Sequence, residues 1–149
     1  MATYIYTGTA TTAAAQALLR VIVVDAAAVV DALAGVAGTD GLRAHLAGED
    51  LHAPSLVDFE VVSALRGLTL RGQLSPTRAE DLLADFEDLP LQRWPSADAL
   101  RRRAFQLRDN VSAYDATYVA LAEALDCTLV TRDGRLARSS GHHAHILVR

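Results

Sequence analysis

The sequence predicts an α/β sandwich around a mainly parallel sheet. Val21-Ile22-Val23-Val24 and Cys127-Thr128-Leu129-Val130-Thr131 are short runs, apolar on both faces or nearly so, as central strands covered by helices tend to be. Between and after them, short strand-like runs alternate with segments of helical spacing, the pattern of a helix-covered parallel sheet. At 149 residues the chain suits one domain and is short for two.

Residues 1–20 are rich in Thr and Ala, with a single basic residue at the end. They lack the charged start and long apolar middle of a secretory signal, and are read as an extension without a role in function. The folded domain is read as 21–149. Its first strand, Val21–Val24, ends at Asp25, and an Ala-rich helix runs to about Leu33, where Gly35 and Gly38 stop it. A second helix is expected over Gly41–Ala47, and a short strand over Leu51–Ala53, closed by Pro54.

Ser55 can cap a helix from Leu56 to about Leu70, with Val57, Val61, Ala64, Leu65 and Leu68 at helical spacing. Ser75-Pro76 pairs a cap with proline at the first helical position and opens a helix to about Phe86. Leu89–Trp94 reads as a brief strand or an extended connection, and Ser96 as the start of a helix to Leu107. Ser112 opens the helix Ala113–Leu125; the strand Cys127–Thr131 ends at Arg132-Asp133-Gly134; a last strand is expected near His145–Val148.

Composition narrows the function. Charged residues are 21% and hydrophobic residues 51% of the chain, which excludes a disordered protein. No run of about 18 apolar residues appears, so no membrane span is expected. The single Cys127 fits a reducing compartment, the cytoplasm. Fourteen basic residues, all Arg, stand against 18 acidic ones, a net charge of -4. That is the wrong balance for non-specific DNA binding, so a nucleic-acid role must make the carboxylates part of the chemistry.

Ligands of open α/β sheets bind beyond the carboxyl ends of the strands. Asp25 ends the first strand and Asp133 lies just past the strand Cys127–Thr131. Each could merely cap the helix or turn that follows; both together point to an acidic pocket. Glu60 borders the buried face of its helix, with Leu56 and Ala64 as i±4 neighbours, and is either paired with an Arg or part of that pocket. Asp58 reads as solvated. Asp115, three residues after Ser112, nearly completes a capping box and also stands near a strand end. Were the four to converge, they could not all stay ionised without a counter-charge, and magnesium, an oxygen-seeking ion held by few carboxylates, would supply it.

The blocks around Val-Val-Asp25, Pro54-Ser55-Leu56 with Glu60-Val-Val-Ser-Ala-Leu-Arg66, Ser112-Ala-Tyr-Asp115-Ala-Thr-Tyr-Val-Ala-Leu-Ala-Glu123 and Leu129-Val-Thr131-Arg-Asp133 resemble the PIN domain. Within it they are most similar to the VapC-type toxin ribonucleases of bacterial toxin–antitoxin pairs. The resemblance implies a three-layer α/β/α fold and an endoribonuclease dependent on Mg2+, for which Mn2+ can substitute. It also implies a homodimer, an RNA substrate and a cognate antitoxin bound in a hetero-oligomer.

By position, Asp25, Glu60, Asp115 and Asp133 match the catalytic, metal-binding acids, and Thr131 matches the hydroxyl residue that supports the last of them. The family often carries Ser or Thr where this chain has Ala27, and Asn where it has Ser63. Arg132, Arg135 and Arg138 are candidates for contact with RNA phosphates or antitoxin. Arg101–Arg103 read as a solvated helix surface, and His142, His143 and His145 as ordinary surface. With 5% aromatics, extensive base stacking is not expected.

Other acid-bearing α/β folds fit less well. A phosphate-receiver domain and a haloacid-dehalogenase-type phosphatase both want a Lys, and this chain has none. The glycine motifs of nucleotide loops are missing as well. The competing reading is a catalytically inactive PIN module that acts by binding antitoxin or RNA, for which Ala27 is the hint. The apolar positions after Leu56 suggest where a second copy would pack.

Overall fold

The computed structural model describes residues 20–149; of the expected extension, all but Arg20 lies outside them. Five parallel strands, β1 (Val21–Val24), β2 (Asp50–Pro54), β3 (Leu91–Trp94), β4 (Thr128–Thr131) and β5 (Ile146–Val148), form one sheet in the order β3-β2-β1-β4-β5. β1 lies at the centre and pairs Val23 with His52 of β2 and with Leu129 of β4. Both central strands are almost wholly buried, which is why they read as unbroken apolar runs.

Seven helices cover the sheet among the described residues: α1 (Ala26–Ala34), α2 (Asp40–Ala47), α3 (Val57–Leu70), α4 (Pro76–Glu87), α5 (Asp98–Gln106), α6 (Ala113–Ala124) and the single turn α7 (Gly134–Ala137). α1, α3 and α4 pack on one another, while α5 packs on α6, and α6 lies across β1, β2 and β4. The result is the three-layer α/β/α sandwich. Its core joins Val23, Val24, Val29, Val57, Val61 and Leu129, none more than 1% exposed.

Several boundaries differ from those expected, each for a local reason. Ser55 does not cap α3: its backbone N–H donates to the Trp94 carbonyl at 2.8 Å and so extends the pairing of β2 with β3 by one residue, and the helix starts at Val57 with no side-chain cap. Ser96 likewise leaves α5 to begin at Asp98, its hydroxyl accepting from the Arg101 guanidinium at 2.9 Å. Ser75 and Ser112 do cap α4 and α6, accepting from the amides of Arg78 and Asp115. The segment before Trp94 is a strand, and α7 was not expected at all; one turn is too short for periodicity to reveal.

Two arginine pairs brace the periphery. Asp58, read as solvated, accepts from Arg93 at 2.6 Å. Arg103 leaves the solvated triplet to grip the 6% exposed Glu123 carboxylate at 2.6 and 2.9 Å, and also bonds the Gly141 carbonyl. The His143 amide completes that carboxylate's shell at 3.0 Å, so α5, α6 and the approach to β5 share one knot. The Arg103 hydrogen bond holds the Glu123 carboxyl below its ordinary value of 4.5. A depressed carboxyl stabilises the fold above its unfolded pKa, and that contribution is lost as pH falls through the folded value. We expect Arg103→Leu, which strands a buried carboxylate, to cost about 3 kcal/mol at neutral pH. In urea titrations the deficit should shrink below pH 4.5; an equal deficit at pH 3 would contradict this account of the pair.

Candidate active site

The strand order reverses direction at β1: β2 and β3 follow on one side of it, β4 and β5 on the other. Such a switch point opens a crevice at the carboxyl edge of the sheet. Asp25 leaves β1 there and keeps the ladder going for one residue, its amide donating to the Val130 carbonyl at 3.2 Å. Asp133 follows β4 by two residues and N-caps α7. Glu60 and Asp115 arrive in the first turns of α3 and α6.

All four acids line one open cleft of about 360 Å³, with Ala26, Ala27, Ser63, Ala64 and Tyr118. The first acid is both a cap and a pocket residue, so the two readings of Asp25 are not alternatives. One of its carboxylate oxygens accepts from the Ala28 amide at 2.8 Å and the other from the Thr131 hydroxyl. Thr131 is wholly buried, and its Oγ1 also accepts from the Asp133 amide at 2.9 Å. The one hydroxyl therefore supports the last acid at that acid's backbone amide and the first at its carboxylate.

Asp115 shares a reciprocal cap with Ser112: its amide donates to Ser112 Oγ at 3.2 Å, and that hydroxyl donates to Asp115 Oδ2 at 2.8 Å. Glu60 is not paired with an arginine. Its Oε2 accepts from the Tyr118 hydroxyl, a partner the sequence reading passed over. Tyr118 is 2% exposed and looks like one more apolar position of α6 until its hydroxyl is traced to α3. A tyrosine three residues after Asp115 on the same helix face was the available signal.

Electrostatics follow from this crowding. Burial raises the Asp25 carboxyl above its ordinary range, against the pull of its hydrogen bonds, and Asp115 pushes it further up. Glu60 is raised by burial, with Asp115 and Asp25 adding to the rise despite the Tyr118 bond. Asp133 moves the other way, held low chiefly by the Arg135 amide. Burial and Glu60 push the Tyr118 phenol far up, so it remains a donor.

The donor set is made of carboxylate oxygen and suits a hard divalent cation, whose charge would relieve the repulsion. Among the described residues no three His, Cys, Asp or Glu side chains form a ready-made metal cage. An ion here would draw on these carboxylates together with water, as magnesium usually does.

The three candidate arginines part company. Arg132 is committed to Asp31 at 2.8 Å and to the Arg149 carbonyl. Arg135 reaches the Asp133 carboxylate only at 3.4 Å, with its side chain 87% exposed. Arg138 is exposed, with its guanidinium against Gly134.

Comparison with known proteins agrees with this architecture. The PIN domain family profile matches residues 22–141. Ribonuclease VapC12 of Mycobacterium tuberculosis is 40% identical over 125 residues, spanning 84% of this chain and 96% of its own length. PAE2754 from Pyrobaculum aerophilum, a crystal structure, superposes with a TM-score of 0.64 at 24% identity, over 87% of this chain and 83% of that one. A toxin-antitoxin complex from Klebsiella pneumoniae shares the fold at a TM-score of 0.57 and 15% identity, over 85% and 96% of the two chains. With a family match over most of its length and a relative this similar, the chain belongs to the PIN-domain family, among its VapC-type members.

Proposed function

We propose that this protein is an endoribonuclease that hydrolyses RNA phosphodiester bonds with Mg2+ or Mn2+, and that it is the toxin of a toxin–antitoxin pair. The observation that carries the reading is the convergence of Asp25, Glu60, Asp115 and Asp133 on one cleft at the switch point of the sheet. The name of its relative, Ribonuclease VapC12, supports RNA as substrate. A divalent ion held by these acids would polarise the scissile phosphate and make water nucleophilic near neutral pH.

The chain's own residues set the stage for that chemistry. Asp25, which lines the cleft, is fixed at both oxygens. Glu60 and Asp115 are each held through one oxygen, which leaves the other to face ion or water. Arg135, weakly engaged and exposed, is the arginine free to turn toward a phosphate, and Arg138 stands beside it. Arg132 serves the fold instead.

The partners follow the same reading. The Klebsiella protein of the same fold is a toxin-antitoxin complex, which supports a cognate antitoxin here. A second copy would pack through the outer face of α3, where Phe59 is 81%, Val62 45% and Leu70 69% exposed; apolar side chains on one helix face mark a self-association surface. The cytoplasm, where RNA and antitoxin meet, is the proposed compartment.

Antitoxin-free protein with Mn2+ should cleave structured RNA, and Asp115→Asn, which keeps the side-chain volume, should lower the rate by at least ~100-fold, the scale expected for loss of electrostatic stabilisation of the transition state. Equal behaviour of the two proteins would favour a module that only binds. Metal should also stabilise the fold. A carboxyl raised in the folded state favours folding below its unfolded pKa, and that contribution is lost as pH rises through the folded value. The metal-free melting temperature should therefore fall as Asp25 and Glu60 ionise, and millimolar Mn2+ should raise it again, through a stabilisation of about 2.7 kcal/mol at a hundredfold excess over Kd. The restoration should grow with pH and vanish in Asp25→Asn; a melting curve indifferent to Mn2+ at every pH would remove the metal from the proposal.

A further inference from the structure

Buried polar groups call for a reason. Among the described residues Thr131 is one of two buried polar side chains outside the aromatic class, and its hydroxyl is spent on Asp25. Tyr118 raises the same question. It sits in α6 among Ala116, Val119, Ala120, Leu121 and Ala122, all buried, where phenylalanine would fill the space without a polar atom to satisfy. Its hydroxyl donates to Glu60 across the boundary between the two helical layers.

That bond has a geometric consequence. Tyr118 and Asp115 lie three residues apart on α6, on one face. Glu60 belongs to α3, in the opposite layer. The side-chain bond that ties this Glu to the helix of Asp115 therefore comes from Tyr118, beyond the edge where the sheet could hold the layers in register. It also occupies Oε2, so the carboxylate can turn only its other oxygen to the cleft.

We infer that Tyr118 is a positioning residue of the site: its hydroxyl fixes the rotamer and the free oxygen of Glu60 relative to Asp115, and thereby sets how tightly the cleft holds a divalent cation. The assignment rests on the metal-dependent reading of the cleft. Residues behind a metal ligand commonly change metal affinity by about 10- to 100-fold when removed.

The test compares wild type, Tyr118→Phe, Glu60→Gln and the double variant, all purified without antitoxin. Mn2+ is the probe, and its binding is read by calorimetry and by the loss of the free-ion electron paramagnetic resonance signal. Tyr118→Phe should melt within a few degrees of wild type while binding Mn2+ about tenfold more weakly. Added to Glu60→Gln it should cost nothing further, because the carboxylate it positions is gone. A residue of purely structural value would lower the melting temperature and leave affinity unchanged. Wild type and Tyr118→Phe binding Mn2+ equally would overturn this assignment alone. Wild type that binds no Mn2+ would overturn it together with the metal-dependent reading.

Discussion

Like charges gathered at one edge of a sheet are the constraint around which the rest of this structure is arranged. Each of the four acids sits at the start of a helix: Asp25 and Asp133 as N-caps of α1 and α7, Glu60 and Asp115 in the first turns of α3 and α6. Unpaired amides and the helix dipole give those ends a partial positive charge, worth typically 0.3–1 kcal/mol to a nearby carboxylate. A parallel sheet delivers the starts of α1, α3 and α7 to its carboxyl edge by construction, since β1, β2 and β4 exit there into them, while α6 follows α5 and begins at the same edge as it leads back to β4. Capping and pocket formation are thus one arrangement seen at two scales.

Helix starts alone do not fix a carboxylate's rotamer, and here hydroxyls do. Thr131 holds Asp25, Ser112 holds Asp115 and Tyr118 holds Glu60. The three donors are neutral, so they orient the acids without cancelling their charge. A guanidinium in the same places would bind as well, and would leave no negative potential for a cation. The exception is Asp133, where Arg135 approaches from solvent with its charge screened by water.

The central strands were legible because both of their faces are buried, and apolar runs ending in acids survive any error in the helices between them. Asp25 and Asp133 could be found by that logic. Asp115 was harder, since its bond to Ser112 is what a plain helix cap would show. Tyr118 left only a faint signal, its place three residues after Asp115: an aromatic at a buried helical position reads as core, and the three-dimensional path of its hydroxyl is what separates it from phenylalanine. The starts of α3 and α5 slipped for the same kind of reason, because Ser55 and Ser96 bond to Trp94 and Arg101, partners that propensity cannot foresee.

The distribution of arginine gives the final step. Asp31, Glu49, Asp58, Asp98 and Glu123 each have an arginine partner, and several of these pairs brace helices or loops far from the cleft. Asp25, Glu60 and Asp115 form no ion pair among the described residues. A chain with 14 arginines has cations to spare, so acids left without them at a crevice are not short of partners by composition. Their burial and, to a lesser degree, their mutual repulsion push the carboxyls of Asp25 and Glu60 up, a standing cost carried by the fold. On the metal-dependent reading proposed above, the missing charge would come from outside. The more completely the peripheral arginines are committed, as Arg103 is to Glu123 and Arg132 to Asp31, the less any of them can swing in and fill the cleft itself.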